Sequence, residues 1–365
     1  MSFWDRLDCL RAVAARHPDG MVDLTKGEPV DPVPMIIQRA LGGAANAPGY
    51  PLTRGTAALR ESAAVWLARC HGVSVPSGQV LPTIGSKEFI GLLPLMLGLG
   101  PEDAVAYPEL AYPSYAAGAR LAGAETVASD DVTARDPVLP SGRRIRLIWL
   151  NSPANPTGRV WPAESMRRIV GWARKHDVVV ASDECYLDYG WDAAPVSLLT
   201  PAVAGESHTG LVSVYSLSKR SNLAGYRAGV AAGDPELMDR MWQRRREIGL
   251  ITPAPVQRAM IAALDDDAHV KRQRERYAHR RALLRATLSA AGWTIDHSEA
   301  GLFLWARCPA LPGWAACERL AEAGILATPG DMYGDAGRRH VRFAVTASDV
   351  AIEIACRRLH TAVRP

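Results

Sequence analysis

Between residues 46 and 255, short apolar runs alternate with stretches whose apolar positions recur every three or four residues. The runs at 104–107, 125–128, 145–150, 178–182, 211–215 and 228–232 read as strands bounded by turn residues. Residues 88–97, 114–121 and 162–175 carry the helical period between them. Strands that alternate with helices need both sheet faces covered, so the pattern predicts an α/β architecture with a mostly parallel sheet. Beyond Thr252-Pro253-Ala254-Pro255 the character changes. Residues 257–291 read as almost continuous helix, followed by short strands near 302–307 and 340–345 and a last helix from Ser348. A smaller α+β domain is expected there. At the other end, Trp4, Leu7, Leu10 and Val13 stand at helical spacing, and the Pro-rich stretch 27–34 reads as an extended arm. The expected organisation is a helix and arm over 1–35 packed with the small domain, a large domain over 36–255, and a small domain over 256–365.

Composition narrows the classes of function. At roughly 150 residues per domain, 365 residues suit about two domains. Apolar residues at 48% and charged residues at 22% exclude global disorder. A net charge of +4 is too small to argue for nucleic acid or a membrane as partner. The basic run over 270–285, with Arg280 and Arg281, reads as the solvated face of a helix. Six scattered cysteines include no CxxC pair, which makes structural zinc an unfavoured reading and fits reduced thiols in a cytoplasmic protein. The first 20 residues mix charge with apolar positions, unlike a secretory signal. The longest apolar run, 89–100, is interrupted by Pro94 and falls short of the roughly 20 residues that span a bilayer.

Four polar clusters sit where open α/β sheets hold ligands, at the carboxyl ends of strands. Thr83-Ile84-Gly85-Ser86-Lys87-Glu88 leads into an apolar helix, and unpaired N–H groups at such a start make an anion site. Read alone, it is an ordinary helix cap. Asn151-Ser152-Pro153-Ala154-Asn155-Pro156-Thr157-Gly158 is turn chemistry. Asp183, in Ser182-Asp183-Glu184-Cys185-Tyr186, ends a very apolar strand, where a carboxylate is costly unless a cation meets it. The fourth cluster runs from Ser216-Leu217-Ser218-Lys219 to Arg227.

The order of these clusters resembles the fold-type-I, class I/II aminotransferases, which use pyridoxal 5′-phosphate. The resemblance implies a role for each matching position. Lys219 matches the Schiff-base lysine, whose amine also shuttles the substrate proton. Asp183 matches the carboxylate paired with the pyridinium nitrogen, and Asn155 and Tyr186 the groups that bond the ring oxygen. Gly85, Ser86, Lys87, Ser216 and Arg227 match the phosphate cup, and Tyr112 the aromatic stacked on the ring. Arg342, in His340-Val341-Arg342-Phe343, matches the arginine that clamps the α-carboxylate, a task suited to a planar fork. Gly27 matches a glycine that helps close the site. Tyr50 matches a tyrosine that reaches the phosphate of a neighbouring subunit, which implies a homodimer with shared active sites.

A finer resemblance, to actinobacterial-type N-succinyldiaminopimelate aminotransferases, rests on Asp31-Pro32-Val33-Pro34, Pro108-Glu109-Leu110-Ala111-Tyr112-Pro113 and Asp296-His297-Ser298-Glu299-Ala300-Gly301 among others. It implies exchange of an amino group between N-succinyl-LL-2,6-diaminopimelate and 2-oxoglutarate. Such substrates carry several carboxylates, so Lys26, Arg54, Lys87 and Arg220 are candidate cations for the distal ones, each weighed against a plain surface charge. An aminotransferase for aspartate, aromatic or other dicarboxylic donors would show the same cofactor residues. The fold also serves transcription regulators behind a winged-helix segment, but the 26 residues before Gly27 carry no basic recognition helix.

Overall fold

The computed structural model describes residues 3–362. Seven strands form the main sheet in the order Val80–Ile84, Ala228–Gly233, Leu211–Ser216, Val179–Asp183, Arg144–Asn151, Asp103–Tyr107 and Glu125–Ala128. Six run in one direction, and Ala228–Gly233 runs against both its neighbours. The central strands are buried on both faces, as their unbroken apolar text requires. The strand Val80–Ile84 was not among the expected ones because Pro82 argues against a strand interior. It lies at the sheet edge, where a proline without an N–H is tolerated. The reversed strand is all alanine, glycine and valine for a steric reason. A Cβ at Gly229 would stand 2.7 Å from Thr83 Oγ1 and 2.8 Å from the Tyr215 carbonyl.

A second, four-stranded antiparallel sheet orders Thr328–Pro329, His340–Ala344, Phe303–Arg307 and Thr294–Ile295. Its core takes in Leu7, Leu10 and Ala14 of the N-terminal helix Phe3–Ala14, together with Val22 and Leu24 of the arm. The expected apolar stripe is thereby corrected. Leu7 and Leu10 are buried, whereas Trp4 and Val13 face outward and Ala14 takes the inward place. The arm pairs Val22–Asp23 in parallel with Ile325–Leu326, which fixes residues 25–27 beside the small sheet.

Two further expectations change. The 257–291 helix is two helices, Ala254–Asp265 and Ala268–Ala290, because Asp266 caps the second through the N–H groups of Ala268 and His269 at 3.1 and 3.2 Å. The first packs Ala259, Met260, Ala263 and Leu264 into the core of the large sheet, so that core continues past residue 255. The basic face of the second is solvated at Lys271, Arg272, Arg274 and Arg276 but not throughout. Arg280 and Arg281 are buried, the former forked on Asp31 at 2.7 and 2.7 Å and bound to Asp349 at 2.6 Å. Arg281 meets Asp192 at 2.5 Å and the Ser298 carbonyl at 2.7 Å. Among the described residues, no helix is long and apolar enough to cross a membrane.

The Asp31–Arg280 fork ties the arm to the small domain and carries a pH signature. Burial pushes the Asp31 carboxyl up, but hydrogen bonds from Arg280 and Gln273 outweigh it and hold the group below its ordinary 3.8. A lowered folded value means the stabilisation is full above pH 3.8 and is lost as the pH falls through the folded value. Asp31→Asn is expected to cost about 3 kcal/mol at neutral pH by urea unfolding, the low end for a buried pair deprived of one partner. The difference from the native protein should shrink below pH 3.8.

Candidate active site

The carboxyl ends of the parallel strands face the small sheet across a cavity of about 260 Å³. At one end lies the start of the Ser86–Leu97 helix. Its cap, Gly85, has φ +72° and offers no side-chain acceptor, so the first N–H groups have no partner within the helix. A Cβ at Gly85 would stand 2.5 Å from Arg227 Nη2, which is why glycine is needed there. Arg227 is itself held in the left-handed region, at φ +56°, with Nη1 donating to the Ala224 carbonyl at 3.0 Å. Ser216, at the end of its strand, accepts the Ser218 N–H at 3.1 Å. Ser86, Lys87, Ser216 and Arg227 all line the cavity, and together they form an anion cup.

At the other end, Asp183 is 5% exposed. Tyr115 Oη donates to its Oδ2 at 2.9 Å, and the Cys185 N–H to its Oδ1 at 3.2 Å. Among the described residues no lysine, arginine or histidine is paired with it, and burial pushes its carboxyl up. Lys219 also lines the cavity, and burial lowers its amine to about 8. Its carbonyl accepts Tyr189 Oη at 2.7 Å, which pins the backbone beneath the amine.

Arg342 lies between two rings, with its guanidinium 3.9 Å from the Phe303 centroid and 5.0 Å from that of Tyr333. Nη1 donates to Asn155 Oδ1 at 2.8 Å and Nη2 to the Thr25 carbonyl. Asn155 is held in turn by its N–H on Asn151 Oδ1 at 2.7 Å. Gly27 abuts Phe303 so closely that a Cβ would be 2.5 Å from Cζ. Tyr186 packs edge-on to Phe303, and Tyr112 lies 5.8 Å from Lys87 Nζ.

Three expected residues stand elsewhere. Arg54 is not at this cavity. It pairs with Asp239 at 3.4 Å and covers the Trp242 ring. Arg220 is 1% exposed and bound to Asp267 and the Ala263 carbonyl, away from the cavity. Tyr50 is 98% exposed and does not reach the cavity of its own chain. Lys26 does line it. Sequence reasoning missed Tyr115, Cys185, Thr25 and Phe303. Cys185 lay inside a quoted motif, two residues after Asp183, and Tyr115 stands three residues after Tyr112. Thr25 acts through its carbonyl and Phe303 as a plain apolar residue, so neither left a signal.

The class I and II aminotransferase family matches residues 19–359. The chain belongs to it. Members of this family use pyridoxal 5′-phosphate, and the cavity fits that group: an anion cup, an amine of lowered basicity, and a buried carboxylate lacking a cation. The aminotransferase is 54% identical over 356 residues, 98% of both chains, to the 4-dedimethylamino-4-oxo-anhydrotetracycline transaminase OxyQ of Streptomyces rimosus. It is 52% identical, over 98% of this chain and 84% of the other, to a probable aminotransferase of Mycobacterium tuberculosis. A probable N-succinyldiaminopimelate aminotransferase from Thermus thermophilus superposes with a TM-score of 0.88 at 30% identity, covering 99% and 100% of the two chains.

Two outcomes test this geometry. Tyr115→Phe keeps the ring stacked on Trp149 but removes the donor to Asp183. It is expected to lower kcat about tenfold, because a hydrogen bond to a charged group is worth about 1.5 kcal/mol or more. The melting temperature should stay close to that of the native protein. In the cofactor-free aminotransferase, acylation of Lys219 followed by peptide mass spectrometry should show a pH midpoint of about 8.

Proposed function

We propose that this aminotransferase moves an amino group between N-succinyl-LL-2,6-diaminopimelate and 2-oxoglutarate. The observation that carries the reading is the charge of the cavity wall. Five cationic side chains, Lys26, Lys87, Lys219, Arg227 and Arg342, line it against one carboxylate, Asp183. Arg227 serves the cofactor phosphate, Lys219 the reacting centre and Arg342 the α-carboxylate. Lys87 belongs with Arg227 to the phosphate cup, and Lys26 remains for a distal carboxylate, which a short neutral amino acid lacks.

When bound, pyridoxal 5′-phosphate supplies a carbonyl that takes up the amino group and a ring that accepts electrons from the substrate α-carbon. Lys219, as a base of lowered pKa, moves the proton at that α-carbon. Asp183 holds a proton on the ring nitrogen, a pairing that also compensates its own burial. Asn155 and Tyr186 orient the ring oxygen, Tyr112 covers the ring, and Gly27 lets Phe303 and the arm close against water. Tyr50, Leu52, Met35 and Ile36 are exposed on the segment before the cup. We assign them to contact with a second copy, whose phosphate cup Tyr50 reaches.

A second reading is amination of a large ketone such as the one named for the Streptomyces relative, and the 54% identity favours it. Steady-state assays with 2-oxoglutarate, using the succinylated donor beside aspartate and phenylalanine, separate the readings when an anhydrotetracycline ketone is included as acceptor. The succinylated donor should give the highest kcat/KM. A higher value for aspartate or for the ketone would overturn the substrate reading. Lys26→Ala should raise KM for that donor about fivefold, as an exposed ion pair is worth about 1 kcal/mol, and spare alanine.

A further inference from the structure

Two arginines of the Pro235–Glu247 helix grip the Ser86–Leu97 helix near its two ends. Arg244 Nη1 donates to the Leu95 carbonyl at 3.0 Å. Arg245 Nη1 meets Glu88 Oε1 in the first turn at 2.6 Å, and the two side chains are 1% and 16% exposed. The other oxygen, Glu88 Oε2, accepts the Ile84 N–H at 3.1 Å. One carboxylate thus ties the turn before the helix to a second helix behind it.

Neither Glu88 nor Arg245 lines the cavity. As a stabilising device the pair is poor, since Arg245 keeps Nε and Nη2 without a hydrogen-bond partner in the core. A half-satisfied buried charge serves a fold less well than an apolar side chain would. The turn it holds is the one that matters chemically. Gly85 and Ser86 lie between Ile84 and Glu88, and Arg227 rests on Gly85 with no room for a Cβ. A shift of this turn would move both the free N–H groups and the guanidinium of the cup. Ligand affinity is sensitive to sub-ångström misplacement of such groups.

We propose that Glu88 and Arg245 are positioning residues for the cofactor phosphate, holding the turn at residues 84–88 so that its N–H groups and Arg227 converge on one anion. The inference rests on the reading that Ser86, Lys87, Ser216 and Arg227 take the phosphate. Cofactor-free Arg245→Met, Arg245→Lys and Glu88→Gln proteins would be titrated with pyridoxal 5′-phosphate and with pyridoxal, following protein fluorescence. The phosphorus NMR resonance of the bound cofactor would be recorded for each.

Arg245→Met and Glu88→Gln should raise the Kd for pyridoxal 5′-phosphate about tenfold, the low end for losing a group that orients direct ligand contacts. Both should shift the phosphorus resonance, and neither should change the Kd for pyridoxal. Arg245→Lys, which keeps a cation on Glu88, should recover most of the loss and serves if the Met variant fails to fold. Equal losses for both ligands would overturn the proposal, as would an unchanged Kd and resonance beside a lowered melting temperature. Arg227→Met separates the premise from the inference: if it leaves the affinity for pyridoxal 5′-phosphate unchanged, the phosphate reading itself falls.

Discussion

The Asp183 carboxylate, buried at the end of a central strand with no cation of the described residues paired to it, is the constraint on which the site depends. Taking such a charge out of water costs several kcal/mol unless it is paired and hydrogen-bonded. Tyr115 and the Cys185 N–H supply two donors, and no cation of the described residues completes the pairing. The same residue organises its surroundings through its backbone. Asn151, opposite Asp183 in register, donates from Nδ2 to the Asp183 carbonyl at 2.8 Å, and its Oδ1 accepts the Asn155 N–H. Asn155 Oδ1 then accepts Arg342, whose other arm reaches the Thr25 carbonyl. One hydrogen-bonded path therefore runs from the Asp183 end of the cavity to the arginine of the small sheet and on to the arm.

That path explains why a pocket built on one sheet needs two cores to define it. Arg342 sits on the middle of the His340–Ala344 strand, so its backbone is placed by the small sheet. Its guanidinium is placed by Asn155 of the large domain. The buried fork of Arg280 on Asp31 holds the arm that supplies Thr25, Lys26 and Gly27. The arginine-rich helix thus acts as an internal clamp between segments that would otherwise slide past each other.

The main sheet was legible because its inner strands are buried on both faces and write continuous apolar runs. Val80–Ile84 was hidden by Pro82, since a proline at an edge looks the same in the text as one that forbids a strand. The helix break at Asp265-Asp266-Asp267 was equally local, a cap that reads as three surface charges until the chain folds back. Arg280 and Arg281 were misread for the opposite reason. Their carboxylates stand about 90 to 250 positions away, at Asp192 and Asp31, and no local pattern reveals a pair of that separation. Among the site residues, those acting through side-chain chemistry at strand ends were visible as motifs. Those acting through a carbonyl, a ring face or a neighbour, such as Thr25, Phe303 and Tyr115, were not. Arg54, a cation near a motif in sequence, lies against Asp239 and Trp242 and not at the cavity of its own chain.

The arm shows how little of this geometry is free to vary. Leu24 gives its N–H to the Leu326 carbonyl at 2.8 Å and its carbonyl to the Ala344 N–H at 2.8 Å, so it is stitched to two strands at once. Two residues on, the Lys26 carbonyl accepts Thr346 Oγ1 at 2.7 Å, which fixes the backbone on the far side of Thr25. Thr25 is therefore held from both flanks, with its carbonyl turned to Arg342. Gly27 follows at once, pressed on Phe303, the same ring that stacks on the guanidinium. The Arg342 fork thus has its plane set by Phe303, its reach by Asn155 and its rear by the arm. The exposed side chains of Lys26 and Lys87 at the cavity rim are held by none of these contacts.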